Sequence, residues 1–352
     1  MENNSHLPEA FFSQCPWSTS EDLIWPATSL AIHRNIYPYR FPGSMTEPEA
    51  NQINEMIIKT TTGVLKDPKI LQGDTLLPSD KEYLFEHFLL NEAFEKLDAK
   101  SSLLVDETTN FLALINIENH LNLHIFQPST NINETWKTLN TLEQKLAEYL
   151  NFAFSPQFGF LTSDPRTCGT GLIAQAFLHT PALIHLNKFQ DIVDNLHLDI
   201  KLKGISQNGE YLADIVLIEN KYKLGISEKH AIETVQKAAN ALVTEEEKAR
   251  ISLNKEGNNL LKDKISRAFG LLTHSFSLQI QETLAALSLV HLAKELSWVK
   301  GAEQISFHNL FFECKRGHLQ HQFNNHNLTK DALFQTRANL VKNKLANCQL
   351  SI

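Results

Sequence analysis

The residues best placed to do chemistry in this 352-residue chain lie between Phe158 and Leu183, FGFLTSDPRTCGTGLIAQAFLHTPAL. Thr162, Ser163 and Asp164 carry short polar side chains that bond backbone amides, and Pro165 interrupts regular structure, so the chain turns there. Gly169, Thr170 and Gly171 then let the backbone come close to a neighbour or a ligand before the apolar run Leu172 to Leu178 enters the interior. The stretch reads as a loop, a helix start and a second loop around one binding cleft; taken alone, the glycine pair equally marks a tight turn. Cys15, Cys168, Cys314 and Cys348 are scattered without metal-ligand spacing, so free thiols are expected rather than a zinc site or a disulfide scaffold, and no metal ligands are assigned.

The elements that must position this stretch come from composition and periodicity. A hydrophobic fraction of 42% fills an ordinary core, and the formal charge of −8 argues against a general nucleic-acid binder. No apolar run reaches membrane-spanning length, and Met1 to His6 lacks the order of a signal peptide, so a soluble, cytoplasmic protein without membrane contact is expected. Residues 1–20 are polar, contain Pro8 and Pro16, and read as a flexible lead. A threonine-capped helix follows from Thr46 to Val64. Ser102 to Val105 and Phe111 to Ile117 form a hairpin. Leu121 to Phe126 adds a third strand, with its leucines and Ile125 on one face and Asn122, His124 and Phe126 on the other. Asn133 to Ala153 has an apolar stripe at helical spacing, which is core. Asn187 to Leu196 reads as a helix, and Leu198 to Ile205 and Tyr211 to Glu219 as strands. Ser227 caps a long helix running to Arg250 or beyond. The remainder reads as helices over Asn258 to His274, Ile280 to Ser297, Ile305 to Phe312 and Lys330 to Leu345.

In register, the organising stretch resembles the loop of the guanidino phosphotransferases (phosphagen kinases), and within that family the bacterial protein arginine kinases of the McsB type. The family pattern is Y-L-T-S-C-P-T-N-x-G-T-G-L-R-A-S, ending in H-x-P-A-L. Phe160 to Ser163, Pro165, Gly169 to Leu172, Ala174 and His179 to Leu183 fit it; Asp164 replaces its cysteine and Ile173 its phosphate-binding arginine. Asp22 to Asn35 resembles D-I-V-x-S-S-R-I-R-L-A-R-N, which puts Ser29 and Ala31 in place of two nucleotide-gripping arginines and retains Arg34. His87 matches a histidine beside the nucleotide, and equally reads as a surface or core histidine.

Asn116 to Asn122 resembles N-E-E-D-H-[IL]-R. Glu118 takes the place of the glutamate that orients the substrate guanidinium and accepts its proton, or is a polar strand-end residue. Ile117, Asn119 and Asn122 replace the first glutamate, the aspartate and an arginine. Ser206 to Glu210 resembles a loop whose glutamates close over the substrate; Glu210 is the glutamate left, and Lys203 keeps a positive charge at the family's arginine. Asp214 to Glu228 matches the entry to a long helix, I-S-N-x-x-x-L-G-x-S-E. Thr336 to Leu345 resembles a helix of the lobe that binds phosphoarginine and dimerises in protein arginine kinases, with Arg337 matching its second arginine.

The resemblance, from about Asp22 to Leu345, implies an α+β fold: an antiparallel β-sheet flanked by helices, with a C-terminal helical lobe. The implied divisions are a lead over residues 1–20, a phosphotransferase-like domain over 21–254 and a dimerising, partner-binding lobe over 255–352. It also implies ATP and Mg²⁺ as cofactors if the site works. A homodimer, a small zinc-binding activator of the McsA type and a Clp-type ATPase are the implied partners. Phosphoryl transfer depends on cationic clamps around the phosphates, and losing a transition-state arginine costs on the order of 10³–10⁵ in rate. With arginine missing at Ser29, Ala31, Asn122 and Ile173, the expectation is a degenerate member acting as a binding or regulatory protein. The alternative is a working kinase for protein arginine or a free guanidino compound, with a rebuilt site.

Overall fold

The computed structural model describes residues 7, 11, 15–17, 24–65, 68–89, 97–106, 111–196, 198–205, 211–255, 258–323 and 328–352. In chain order the strands are β1 (Ala27–Arg34), β2 (Lys69–Gln72), β3 (Ser102–Val105), β4 (Phe111–Ile115), β5 (Leu121–Gln127), β6 (Phe154–Ser155), β7 (Gly159–Phe160), β8 (Leu172–His179), β9 (Ile200–Gly204), β10 (Ile215–Asn220), β11 (Val299–Lys300) and β12 (Gln349–Leu350). Eight of them form one sheet, ordered β2-β3-β4-β5-β1-β8-β10-β9, with every neighbouring pair antiparallel. The α+β architecture expected from the sequence is therefore present.

Because opposed residues of paired strands share a face, the registers sort the sheet into two sides. One side carries Leu30, Ile32, Leu121, Leu123, Ile125, Leu172, Ala174, Ala176 and Ile218. The helices Ile132–Ala147 and Glu228–Lys255 cover it, and these side chains are buried. The other side carries Ser29, Ala31, His33, Asn122, His124, Phe126, Ile173, Gln175, Phe177, Leu217, Glu219, Lys201 and Lys203. One end of this second side is covered by Phe88, which packs on Phe126 and Phe177 and edge-on against Phe312 of the lobe.

Several elements end where tertiary contacts override the sequence pattern. The run Leu172 to Leu178 is a central strand, and the α-helix that begins within the Phe158–Leu183 stretch is the short Pro181–His185. The helix expected to reach Ala153 stops at Ala147, since the following residues pair with the end of β1 through Tyr37 N to Asn151 O and Ala153 N to Asn35 O. Leu212 to Asp214 forms a 3-10 turn, and β10 starts only at Ile215. The capping expectations are realised: Glu49 accepts from both the backbone N and Oγ1 of Thr46, and Ser227 Oγ accepts from His230 N.

The lead over residues 1–20 departs from expectation at its apolar side chains. Leu7, Phe11 and Trp17 are buried, and Tyr83 Oη donates to Phe11 O at 2.5 Å. Trp17 stacks on Phe311 of the lobe and lies against Phe88 and Phe177 of the sheet domain, so burial of an aromatic anchor outweighs the polar composition around it. The four cysteines are not joined by disulfides.

Candidate functional site

The turn joining β4 to β5 is locked on both sides of Glu118. Asn116 adopts φ 56, a conformation asparagine tolerates better than most residues, and donates through Nδ2 to Ala50 O and Lys100 O. Asn119 Oδ1 accepts from Asn35 Nδ2 and from Ser163 N, each at 2.8 Å, which ties this turn to the loop Thr162–Thr167. His120 Nδ1 accepts from Ile36 N at 2.8 Å. Glu118 is thereby held half-buried in the wall of a cleft of about 590 Å³ that it shares with His33, Asp98, Lys100, Asn119, Ser163, Asp164 and Ile173.

Asp98, Glu118 and Asp164, set against Lys100 and the Arg166 that pairs with Asp164, leave the cleft wall with one excess negative charge. Asp164 is held below its usual range by hydrogen bonds from Arg166, whose exposed guanidinium grips it at 2.8–3.0 Å. Such a cleft suits a cation of guanidinium type rather than a polyanion. A larger groove of about 890 Å³ lies between the helix Glu47–Val64 and residues 145–149. It contains none of the candidate residues, so the smaller cleft is the chemically plausible site.

Gly169, Thr170 and Gly171 do bring backbones together, with protein on both sides. Gly169 has φ 113, and a Cβ there would lie 2.2 Å from Lys223 O; at Gly171 (φ 61) it would lie 2.7 Å from His33 O. Thr170 N donates to Lys223 O at 2.9 Å, and Gly169 pairs with Phe160. The glycines seat the loop against β1, β7 and the residues after β10.

Arg34 belongs to this seating and not to the cleft. Its side chain leaves the sheet on the helix-covered side, where Nε donates to Glu143 Oε1 at 2.9 Å, Nη1 donates to His33 O and Thr170 O, and the guanidinium lies 3.5 Å from the Phe160 ring centroid. The retained arginine is a buried strut under the loop.

Ser29, Ala31, Asn122 and Ile173, the positions that the sequence resemblance sets against family arginines, all fall on the opposite, cleft-side face. Ala31 stands opposite Ile173 on β8 and His124 on β5; Asn122 stands opposite His33, and Ser29 opposite Gln175. The polar groups there satisfy one another. Ser29 Oγ lies 2.6 Å from His124 Nε2, and Asn122 Oδ1 lies 2.7 Å from His33 Nδ1. Burial pushes His124 down to about 4 and also lowers His33, although Asn122 and Glu118 act the other way on His33, so both rings are neutral at pH 7. At these four positions the face carries two neutral pairs, a methyl group and a branched alkyl chain. These residues do not fit a magnesium nucleotide, whose phosphates need cationic donors.

The remaining candidates lie apart from the cleft. Lys203 is on the same sheet face but donates to Glu219 Oε2 at 2.7 Å. His87 is buried beside the lobe, its Nε2 2.8 Å from His318 Nε2 and its ring packed on Tyr83, which places it in a helix interface and not next to the cleft. Arg337 is buried within the lobe and donates to Cys314 O and Leu278 O, each at 2.7 Å, so its guanidinium is not presented to a ligand. Glu210 lies outside the described residues. Among the described residues, no group of three His, Cys, Asp or Glu side chains is placed to hold a metal ion.

Sequence reasoning passed over His33, Asn119, Asp98 and Glu219 as site residues. For His33 and Glu219 the missing signal was strand alternation: His33 lies two residues beyond Ala31 on β1, and Glu219 stands opposite Gln175 in the neighbouring strand.

Comparison with known proteins bears on the same residues. The sequence model of the ATP:guanido phosphotransferase C-terminal catalytic domain matches residues 50–249, and that of the protein-arginine kinase McsB C-terminal domain matches residues 258–351. The protein-arginine kinase of Chlamydia pneumoniae is 32% identical over 342 residues, covering 92% of each chain. That of Brevibacillus brevis is 26% identical over 347 residues, covering 95% of this chain and 97% of its own. Among solved structures, the duplicated taurocyamine kinase of Schistosoma mansoni with bound transition-state analogue components superposes with a TM-score of 0.58 at 20% identity; the match spans 71% of this chain and 38% of that one. Lombricine kinase gives 0.57 at 19% identity, over 73% of this chain and 75% of its own. At such identities the structural likeness establishes the fold alone.

Proposed function

The chain belongs to the protein-arginine kinase branch of the ATP:guanido phosphotransferase family, and from that premise we propose that it is a degenerate member. It keeps the guanidinium cleft, lacks the polyphosphate clamp, and works as a binding or regulatory protein. Family membership implies ATP as phosphoryl donor, which makes the state of the phosphate site decisive. The observation that carries the proposal is the convergence of Ser29, Ala31, Asn122 and Ile173 on one sheet face, where neutral hydrogen-bonded pairs and alkyl groups replace cations. Charge-assisted hydrogen bonds contribute roughly 1.5–3 kcal/mol each, so losing four removes far more than a nucleotide complex can spare.

The acidic cleft supports recognition of an arginine side chain, with Glu118 as the carboxylate facing the guanidinium. The candidate partners are an activator of the McsA type and a Clp-type ATPase. A homodimer through the lobe is proposed with them, supported by exposed apolar side chains there: Phe276 is 75% and Leu260 62% exposed. Light scattering at high micromolar concentration checks the dimer, and a monomeric mass refutes it.

A second reading, an active arginine kinase, is favoured by the survival of Glu118 in a cleft large enough for a guanidino group. Calorimetric titration with ATP-Mg²⁺ separates the two: binding weaker than millimolar, or none, fits the degenerate member, and micromolar binding fits the kinase.

A further inference from the structure

Glu219 is a buried carboxylate on the cleft-side face, surrounded by donors from three directions. Its Oε2 accepts from Lys203 Nζ at 2.7 Å and Gln175 Nε2 at 3.0 Å, and its Oε1 accepts from Lys223 Nζ at 3.1 Å. Lys223 also donates to Asn220 O at 3.0 Å. Lys201 stands opposite Glu219 on β9 and adds positive potential nearby. Glu219 is 3% exposed and Lys223 is buried as deeply, whereas the Lys203 side chain is 47% exposed and marks the side open to solvent.

Two ammonium groups and an amide converging on one pair of oxygens are the donor set that a phosphate-class oxyanion requires. A buried carboxylate left without partners costs far more than it returns, so the three donors and the carboxylate stand or fall together. Burial alone would raise the Glu219 carboxyl, but hydrogen bonding and charge from Lys203, aided by Lys223 and Gln175, hold it below the ordinary glutamate range.

We propose that Glu219 is an internal counter-anion: it fills a phosphate-class oxyanion site formed by Lys203, Lys223 and Gln175, and so closes this part of the sheet face to phosphate ligands. The proposal deepens the degenerate reading, because it concerns the same face, but its geometry stands apart from the four lost arginines. Removing the carboxylate group uncovers the donors, and a small oxyanion entering past Lys203 takes its place.

The test compares the parent, Glu219→Gln, Glu219→Ser and the double variant Glu219→Ser/Lys223→Met, with inorganic phosphate and pyrophosphate as probes; the amide of Glu219→Gln keeps the site filled, so that variant responds less than Glu219→Ser. Glu219→Ser leaves Lys223 buried without its anion and the carboxylate's volume empty, so its melting temperature falls, and saturating pyrophosphate restores most of the loss. Its pyrophosphate affinity exceeds the parent's by roughly tenfold or more. The parent does not respond, and the double variant neither needs nor binds the anion.

Equal responses of the single and double variants would place binding elsewhere and overturn the proposal. If both single variants fail to fold even when refolded in pyrophosphate, an oxyanion does not replace the carboxylate, and the proposal falls as well. ATP-Mg²⁺ titration of the parent reports separately on the degenerate reading: a parent that binds no nucleotide, together with an unrescued Glu219→Ser, defeats this inference alone.

Discussion

Replacing Glu143 by leucine tests whether Arg34, the arginine kept at the end of the stretch that holds Ser29 and Ala31, is a strut or a ligand contact. The Arg34 side chain is 3% exposed, and its ion pair with Glu143 spans 2.9 Å. Removing one partner of a buried pair costs about 3–5 kcal/mol, because it strands the other charge. Here Nη1 keeps its bonds to His33 O and Thr170 O, and the Phe160 ring still covers the guanidinium, so the lower end applies. About 3 kcal/mol corresponds to a fall of roughly 6–12 °C for a cooperative unit of 150–250 residues.

Calorimetry on Glu143→Leu, Arg34→Met and the double variant measures it. The double variant recovers most of the loss, since a buried pair replaced by apolar groups of similar volume is often neutral. Arg34→Met alone also lowers stability and loosens the loop at Thr170. A Glu143→Leu variant within about 1 kcal/mol of the parent would refute the strut.

Three further outcomes follow from the same geometry. Glu118→Gln keeps the melting temperature within a few degrees, because the side chain is half-buried at the cleft wall and glutamine keeps its shape, and it weakens binding of arginine-containing peptide roughly tenfold or more by calorimetry; on the kinase reading it abolishes phosphoarginine formation. Ile173→Arg alone creates no nucleotide binding, as residues acting as a unit are non-additive, and it shifts stability by no more than about 1 kcal/mol because the partly exposed position shares the cleft lining with Glu118 and Asp164; placing arginine at Ser29, Ala31, Asn122 and Ile173 together is the first variant in which thermal shift detects ATP-Mg²⁺. His124 is neutral in the fold and titrates at about 4, against about 6.5 when unfolded, so the unfolded chain binds the extra proton in that window. Stability is therefore unaffected above pH 6.5 and falls as pH drops towards 4, by about 3 kcal/mol from this residue; an acid melting series on the parent and His124→Gln checks it, and equal slopes would refute it.

The fold was legible wherever local pattern and burial agree. The alternation of Leu121 to Phe126 marked a strand with two distinct faces, and Thr46 and Ser227 announced their helices through capping chemistry. The site was legible in part. Glu118 and Ile173 line one cleft, and Ser29, Ala31, Asn122 and Ile173 share one face, because strand register preserves spacing. Arg34, His87 and Arg337 were not, since sequence gives a residue's type and place but not which side of a strand or helix it leaves by. Each is turned into packed surroundings that supply its partners. Burial of Trp17 was invisible for a related reason: its pocket is assembled from Phe88, Phe177, Phe311 and Phe312, which lie far apart in sequence.

The central claim is that the phosphate-binding face has lost its cations, and calorimetric titration of the full-length chain with ATP-Mg²⁺, paired with a phosphoarginine assay on an arginine-containing protein, tests it most directly. The account predicts no binding tighter than millimolar and no phosphoarginine. Micromolar nucleotide binding with robust arginine phosphorylation by the unmodified protein would contradict it.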